Sequence, residues 1–377
     1  MGYTRSEIVE RDKRLIWHPY TSMGRYIGEV DPVVVARAEG IFLYDQDGTR
    51  LVDATCSWWV NLLGHGHPRL VEAVQRQAAA FAHCSLAGMT HEPAVRLAER
   101  LLPRLGSAFT RLFYSDDGST AVEVAVRMAY QYWQNLGKPA KQRFVTLTGA
   151  FHGETVGAAS VSGVEVFHEA LGGLLFNRVL LPSPARAAMD AERGHGSWHE
   201  QAFAAAAGLL ARDAGRIAAV IVEPLVQGAA GMLMYPPEYL TRLRELTSRL
   251  DILLIADEVF VGYGRTGTFL AHQQAGIEPD IVCLAKGFTG GVLPMAATAT
   301  TDRVFEAFLG GPERTLWYGH SFTGNPLGCA VANAVLEEWR KMEEFSRRAC
   351  LASRHPTTLR LWQAVAALDK AKREKEG

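Results

Sequence analysis

The sequence predicts an α/β fold: a mainly parallel sheet with helices covering both of its faces. Three features predict it. Strand-length apolar runs alternate with segments of helical periodicity along most of the chain. The runs are apolar throughout rather than alternating, as in strands buried on both sides. Two of them, over residues 253–257 and 281–286, end in the charged residues Asp257 and Lys286, with Gly262-Tyr-Gly-Arg265-Thr-Gly267 between. Ligands of open α/β sheets gather at such carboxyl ends.

With 377 residues and 48% hydrophobic side chains, the chain has the material for a large core. A formal net charge of -1 gives no global attraction to nucleic acid or to anionic membranes, so neither is expected as a partner. The five cysteines are scattered and show no zinc spacing, which predicts reduced thiols and no metal site. There is no signal-peptide core and no run of about 18 apolar residues, so a cytoplasmic enzyme is the expectation.

In chain order, residues 5–14 read as a short exposed helix. Trp17-His18-Pro19-Tyr20-Thr21 ends it in an extended turn whose aromatics close over a core or meet a ligand. Val33 to Val52 is strand-like, and Asp47-Gly48 marks a hairpin in a small antiparallel meander. Ser57-Trp58-Trp59 is either buried packing or a rigid aromatic wall. His65 and His67 lack companions of metal spacing and are turn residues, followed by a helical stretch through Phe81.

Arg111 to Ser115 is a strand, Asp116-Asp117-Gly118-Ser119 a turn and Thr120 to Trp133 a helix. Thr120 and Glu123 are expected to form its capping box, with Ala121, Val124, Ala125 and Met128 as its apolar face. A strand, a small-residue turn and a helix N-terminus offer backbone N–H groups and a dipole to an anion. The strand from Arg143 to Leu147 leads to Phe151-His152-Gly153-Glu154, where Phe151 either packs or lies on a planar ring. Residues 182–198 read as a surface connection, Ala202 to Leu210 as a helix, Ile217 to Val222 as a strand ending at Glu223-Pro224, and Pro237 to Leu250 as a helix. Pro294 to Thr300 is a small-residue strand. The segment Trp317-Tyr318-Gly319-His320-Ser321-Phe322-Thr323 opens a long helix over 327–339, suited to phosphate or to an ordinary N-cap.

A lysine desolvated at a strand end serves as a nucleophilic amine or forms an imine, and an aspartate holds a proton on a pyridine nitrogen. Asp257 and Lys286 are therefore the pair pyridoxal phosphate requires, or simply two charges marking where strands reach water.

Taken together, Trp17-His-Pro-Tyr20, Ser57-Trp58-Trp59, Asp117-Gly118-Ser119, His152-Gly153-Glu154-Thr, Asp257-Glu258-Val, Gly264-Arg265-Thr-Gly, Leu284-Ala-Lys286-Gly and Gly324-Asn-Pro-Leu resemble the class III, fold-type I aminotransferases that use pyridoxal phosphate. Within them the Trp-His-Pro-Tyr and Ser-Trp-Trp elements are most similar to the branch that aminates 8-amino-7-oxononanoate in biotin synthesis. The resemblance covers roughly residues 14–340 and implies a seven-stranded, mainly parallel sheet. It divides the chain into an N-terminal segment of the small domain (1–60), a large cofactor domain (61–326) and a connecting helix with a short, truncated C-terminal part (327–377).

The resemblance also implies roles. Lys286 holds the cofactor and moves protons, and Asp257 keeps the pyridine nitrogen protonated. Gly118 and Ser119 hold the phosphate, His152 belongs to the cofactor site, and His320 and Ser321 help from across a homodimer interface. Phe151 stacks on the ring, and Tyr20, Trp58, Trp59, Phe151 and Gly319 line the substrate pocket. A small-molecule donor, S-adenosylmethionine or lysine, and a keto acceptor would then react in ping-pong order. Two departures bear on these roles. Phe151 stands where the biotin branch usually has tyrosine, and no position is assignable to the arginine that binds the substrate carboxylate in this family. The short tail, with one amphipathic stretch over 359–368, implies weak solubility or activity. The same lysine and aspartate fit an enzyme of ω-amino acids or ornithine, and the short tail fits a cofactor-binding remnant.

Overall fold

The computed structural model describes residues 2–185 and 198–352. Helix Arg5–Leu15 starts on a capping box made by Thr4 and Glu7, and helix Met23–Glu29 follows. The meander is present as three antiparallel strands, β1 (Val35–Glu39), β2 (Phe42–Asp45) and β3 (Arg50–Val52). Asp45 Oδ1 accepts the N–H groups of Asp47 and Thr49 across its turn.

Among the described residues, the main sheet has seven strands. They are β4 (Phe109–Ser115), β5 (Arg143–Leu147), β6 (Arg178–Leu181), β7 (Ile217–Val222), β10 (Leu253–Asp257), β11 (Ile281–Leu284) and β12 (Ala296–Thr301), and β8 (Val226–Gln227) and β9 (Leu233–Met234) form a separate small ladder. The order is β4-β12-β11-β10-β7-β5-β6. From β11 to β6 every neighbour is parallel, and β12 alone runs antiparallel to both of its neighbours.

Strand periodicity divides the core. Ala219, Ile221, Leu253, Ile255, Ile281 and Cys283 point to the face covered by helix Gly118–Asn135. Their alternates Val220, Val222 and Leu254 meet helices Trp198–Asp213 and Pro237–Arg249. Ala256, Val282 and Leu284 meet helices Glu92–Leu105 and Pro326–Ala352. Helix Glu92–Leu105 was not anticipated, although its buried Ala94, Leu97, Leu101 and Leu105 keep a helical spacing.

The start of helix Gly118–Asn135 corrects one expectation. Its N-cap is Asp117, whose carboxylate accepts from Thr120 N–H while the Thr120 hydroxyl accepts from Asp117 N–H. Aspartate is the better N-cap acceptor, so the helix starts earlier and Thr120 becomes its third residue instead of its cap. A second correction concerns Trp17, which is 86% exposed and closes over no core. Most of the expected connection over 182–198 and the whole amphipathic stretch over 359–368 lie outside the described residues.

At the amino ends of β10 and β11 one buried carboxylate ties the sheet together. Asp280 accepts Arg244 Nη1 at 2.6 Å, Arg303 Nη1 at 3.1 Å and the Leu254 N–H at 2.8 Å. At the opposite ends of the same strands Asp257 lies beside Cys283, which sets Lys286 just past it on the neighbouring strand.

Candidate active site

The carboxyl ends of β4, β5, β7, β10 and β11 open into one cleft of about 880 Å³. Of the residues singled out from sequence, it gathers Tyr20, Trp58, Trp59, Gly118, Ser119, Phe151, His152, Asp257 and Lys286. Gly319, His320 and Ser321 are not among its lining residues. Gly319 and Ser321 are exposed, and His320 Nδ1 lies 3.2 Å from Asp116 Oδ2.

Asp257 ends β10 and is 4% exposed. Its Oδ2 lies 2.7 Å from His152 Nδ1 and its Oδ1 accepts the Val259 N–H at 3.1 Å. His152 is itself buried, with Nε2 3.2 Å from Thr146 Oγ1 and its N–H donated to Ser162 Oγ. Both flanking groups fix the carboxylate's orientation. Lys286 follows β11 at φ 49°, a left-handed conformation, with its ammonium 5.6 Å from the Trp59 ring centre. Burial pushes the amine below its ordinary value, while Asp257 and Glu223 pull it the other way.

Gly118 and Ser119 open their helix, so by position their N–H groups lack intrahelical acceptors. A Cβ on Gly118 would meet Val259 Cγ1 at 2.6 Å, and one on Gly153 would meet Ser119 Oγ at 2.5 Å. Backbone thus reaches the cradle at two points where no side chain fits. Ser119 Oγ also accepts the Glu154 N–H at 2.9 Å, which joins the cradle to the Phe151 loop.

The aromatic wall rests on strained backbone. Cys56, Ser57, Trp58 and Trp59 all have positive φ, 48° to 69°, at roughly 1–2 kcal/mol per residue. Asp53 holds the turn by accepting Ser57 N–H at 2.9 Å and Ser57 Oγ at 2.7 Å, and it pairs with His65 at 2.9 Å. Burial alone would raise the Asp53 carboxyl, but these bonds hold it at about 2. Arg265 clamps the far end, donating from Nη2 to the Trp59 carbonyl and from Nε to the Phe260 carbonyl, both at 2.9 Å. Tyr20 completes the wall, edge-on to Trp58 at 5.4 Å and hydrogen-bonded to Glu154.

Sequence reasoning missed Glu223. It follows β7, is 3% exposed and lines the cleft. Burial pushes its carboxyl up to about 7, against the pull of His152. The signal was present, because Glu223 ends an apolar run as Asp257 does.

Residues 26–359 match the family model described as class-III aminotransferase. An adenosylmethionine-8-amino-7-oxononanoate aminotransferase of Aquifex aeolicus is 44% identical over 342 residues, which cover 89% of this chain and 75% of that protein. The protein of the same name from Synechococcus elongatus is 47% identical over 323 residues, covering 85% and 74%. Among solved structures, the Methanocaldococcus jannaschii protein of that name superposes with a TM-score of 0.85 at 36% identity, covering 90% of this chain and 76% of that one. An amine transaminase from an uncultivated Pseudomonas species, solved in its PLP-bound form, superposes with a TM-score of 0.82 at 35% identity, covering 87% and 75%. With both sequence and fold shared over nearly its whole described length, the chain belongs to the class-III aminotransferases.

Proposed function

We propose that this aminotransferase transfers an amino group to 8-amino-7-oxononanoate, giving 7,8-diaminononanoate, with pyridoxal phosphate held in the cleft and a second copy of the chain completing a homodimer. The observation that carries the reading is the placement of Asp257 and Lys286 at the ends of adjacent strands in one cleft. The names of the relatives support the substrate.

The residues present fit the cofactor. The backbone cradle at Gly118 and Ser119 suits a phosphate, Phe151 supplies a flat apolar face, and Asp257 offers its carboxylate to a pyridine nitrogen. When bound, pyridoxal phosphate supplies an electrophilic aldehyde and a protonated ring that withdraws electrons from the bonds of the donor carbon. Lys286 is the residue that would hold that aldehyde at Nζ. Burial lowers its basicity, so the same nitrogen gives up and takes back a proton more readily than an exposed lysine does. His152 holds the Asp257 carboxylate in place at the edge of the cleft. Tyr20, Trp58 and Trp59 line one side and present apolar surface to an aliphatic acceptor. His320 and Ser321 act from the partner copy.

Borohydride reduction of cofactor-loaded protein places the added mass on the Lys286 peptide and not on the Lys286→Ala variant. The same loaded protein, given S-adenosylmethionine or lysine, forms diaminononanoate. Folded, loaded protein that yields no product with either donor overturns the substrate assignment.

A further inference from the structure

Among the described residues, Glu223 is the one buried carboxylate lining the cleft to which that reaction gives no task. Its Oε2 accepts the Phe151 N–H at 3.0 Å and its Oε1 accepts the Gly228 N–H at 2.9 Å. Its own carbonyl accepts the Tyr235 hydroxyl at 2.6 Å. Phe151 belongs to the loop after β5 and Gly228 to the loop after β8, so a single side chain joins two walls that are remote in sequence. The second loop is drawn in tightly, since a Cβ at Gly228 would meet the Phe260 ring at 2.9 Å, and Phe260 packs on Trp59 at 4.7 Å.

We propose that Glu223 is a positioning residue which clasps the Phe151 and Gly228 loops through their N–H groups, and so holds the Phe151 wall against the ring bound in the cleft. The clasp itself is a property of the chain, while its task rests on pyridoxal phosphate being the group bound. Only a carboxylate serves. Two N–H donors converge on it, and an amide offers one acceptor oxygen and a competing donor. A neutral residue would avoid the burial of charge beside Asp257, which pushes the Glu223 carboxyl up to about 7. The titratable groups that face it are His152, Asp257 and Lys286, with Tyr235 at its backbone. The clasp is therefore complete above neutral pH and weakens below it, as the protonated oxygen becomes a donor.

The test uses the full chain as wild type, Glu223→Gln and Glu223→Asp, each checked for its melting temperature. Hydrogen exchange of the peptides carrying Phe151 and Gly228 is followed without cofactor, and affinity for pyridoxal phosphate is measured by fluorescence quenching. In Glu223→Gln both loops exchange faster, on the order of tenfold for a lost charged hydrogen bond, while β7 peptides stay protected. Pyridoxal phosphate binds correspondingly more weakly. Corrected for intrinsic exchange, wild-type loop protection rises through about pH 7 and that of Glu223→Gln does not. Glu223→Asp keeps the charge but not the reach, so it loosens at least one loop and retains the pH dependence. Unchanged exchange of both loops in both variants overturns the clasp. Loosened loops with unchanged cofactor affinity overturn its positioning task. Loosened loops in a chain whose wild type binds no pyridoxal phosphate uphold the clasp and sink the functional reading instead.

Discussion

Replacing Asp257 by asparagine separates the charge of this residue from its shape. The carboxylate is 4% exposed and two donors converge on it, Val259 N–H at 3.1 Å and His152, whose Nδ1 lies at 2.7 Å. Asparagine fills the same volume but has one acceptor oxygen, so one donor is left facing an amide NH₂. A buried donor without a partner costs about 1–3 kcal/mol, and the urea midpoint of Asp257→Asn falls accordingly. Activity falls further. A neighbouring carboxylate raises the proton affinity of a cationic partner by about 1–3 pK units, which is about 1.4–4 kcal/mol of the ring's electron-withdrawing state. The half-reaction with amino donor, followed by stopped-flow absorbance, therefore slows roughly 10- to 1,000-fold. A variant that is destabilised as expected but reacts within about threefold of wild type would show that the charge of Asp257 is structural and would refute the reading.

Gly118→Ala puts a methyl 2.6 Å from Val259 Cγ1. Overpacking of this kind costs about 1–3 kcal/mol, and equilibrium dialysis is expected to show weakened pyridoxal phosphate binding. Asp280→Ala leaves Arg244, Arg303 and the Leu254 N–H without their shared acceptor. Loss of about 3–5 kcal/mol is expected, read from the urea midpoint of the apo protein, and a loss under about 1 kcal/mol would show that solvent takes over the pairing. Glu223 makes stability depend on pH. Its carboxyl is held at about 7 in the fold against an ordinary 4.5, so protonation favours the native state. That contribution is complete below about 4.5 and is lost as pH climbs through about 7, on the order of 3 kcal/mol in all. Glu223→Gln removes this slope between pH 5 and 8, and chemical denaturation across that range checks it.

The central strands were legible because they are apolar on both faces, in short runs such as Ile217–Val222 and Leu253–Ala256. Asp257 and Lys286 were legible for the same reason, as charges that interrupt such runs. Glu223 interrupts one too, yet it reads as an ordinary terminator. Its partners Phe151 and Gly228 are backbone groups, which carry no sequence signal. The left-handed run from Cys56 to Trp59 was equally hidden. Serine and tryptophan do not announce positive φ as glycine does, and the turn exists because Asp53 and Arg265, the latter 206 positions from Trp59, hold it at both ends. Helix Glu92–Leu105 shows a further limit, since a proline at position 103 near its end breaks an otherwise regular pattern.

The two ends of β10 and β11 treat buried charge in opposite ways, and the difference locates the function. At the amino ends, Asp280 has two guanidinium partners and a backbone donor, so its charge is answered within the chain. At the carboxyl ends, Asp257, Glu223 and Lys286 converge with His152, and the balance is poor. Burial drives the Glu223 carboxyl up and the Lys286 amine down, each toward its neutral form. A fold selected for stability alone would complete both clusters or replace both with apolar side chains. Retaining the first and leaving the second under-compensated holds the strand register with one cluster while the other keeps an amine and an acid in states that a bound cation or aldehyde would change. Any ligand that supplies a protonated nitrogen near Asp257 and an electrophile near Lys286 therefore restores the missing compensation, and its binding should raise the melting temperature of the wild-type protein more than that of Asp257→Asn.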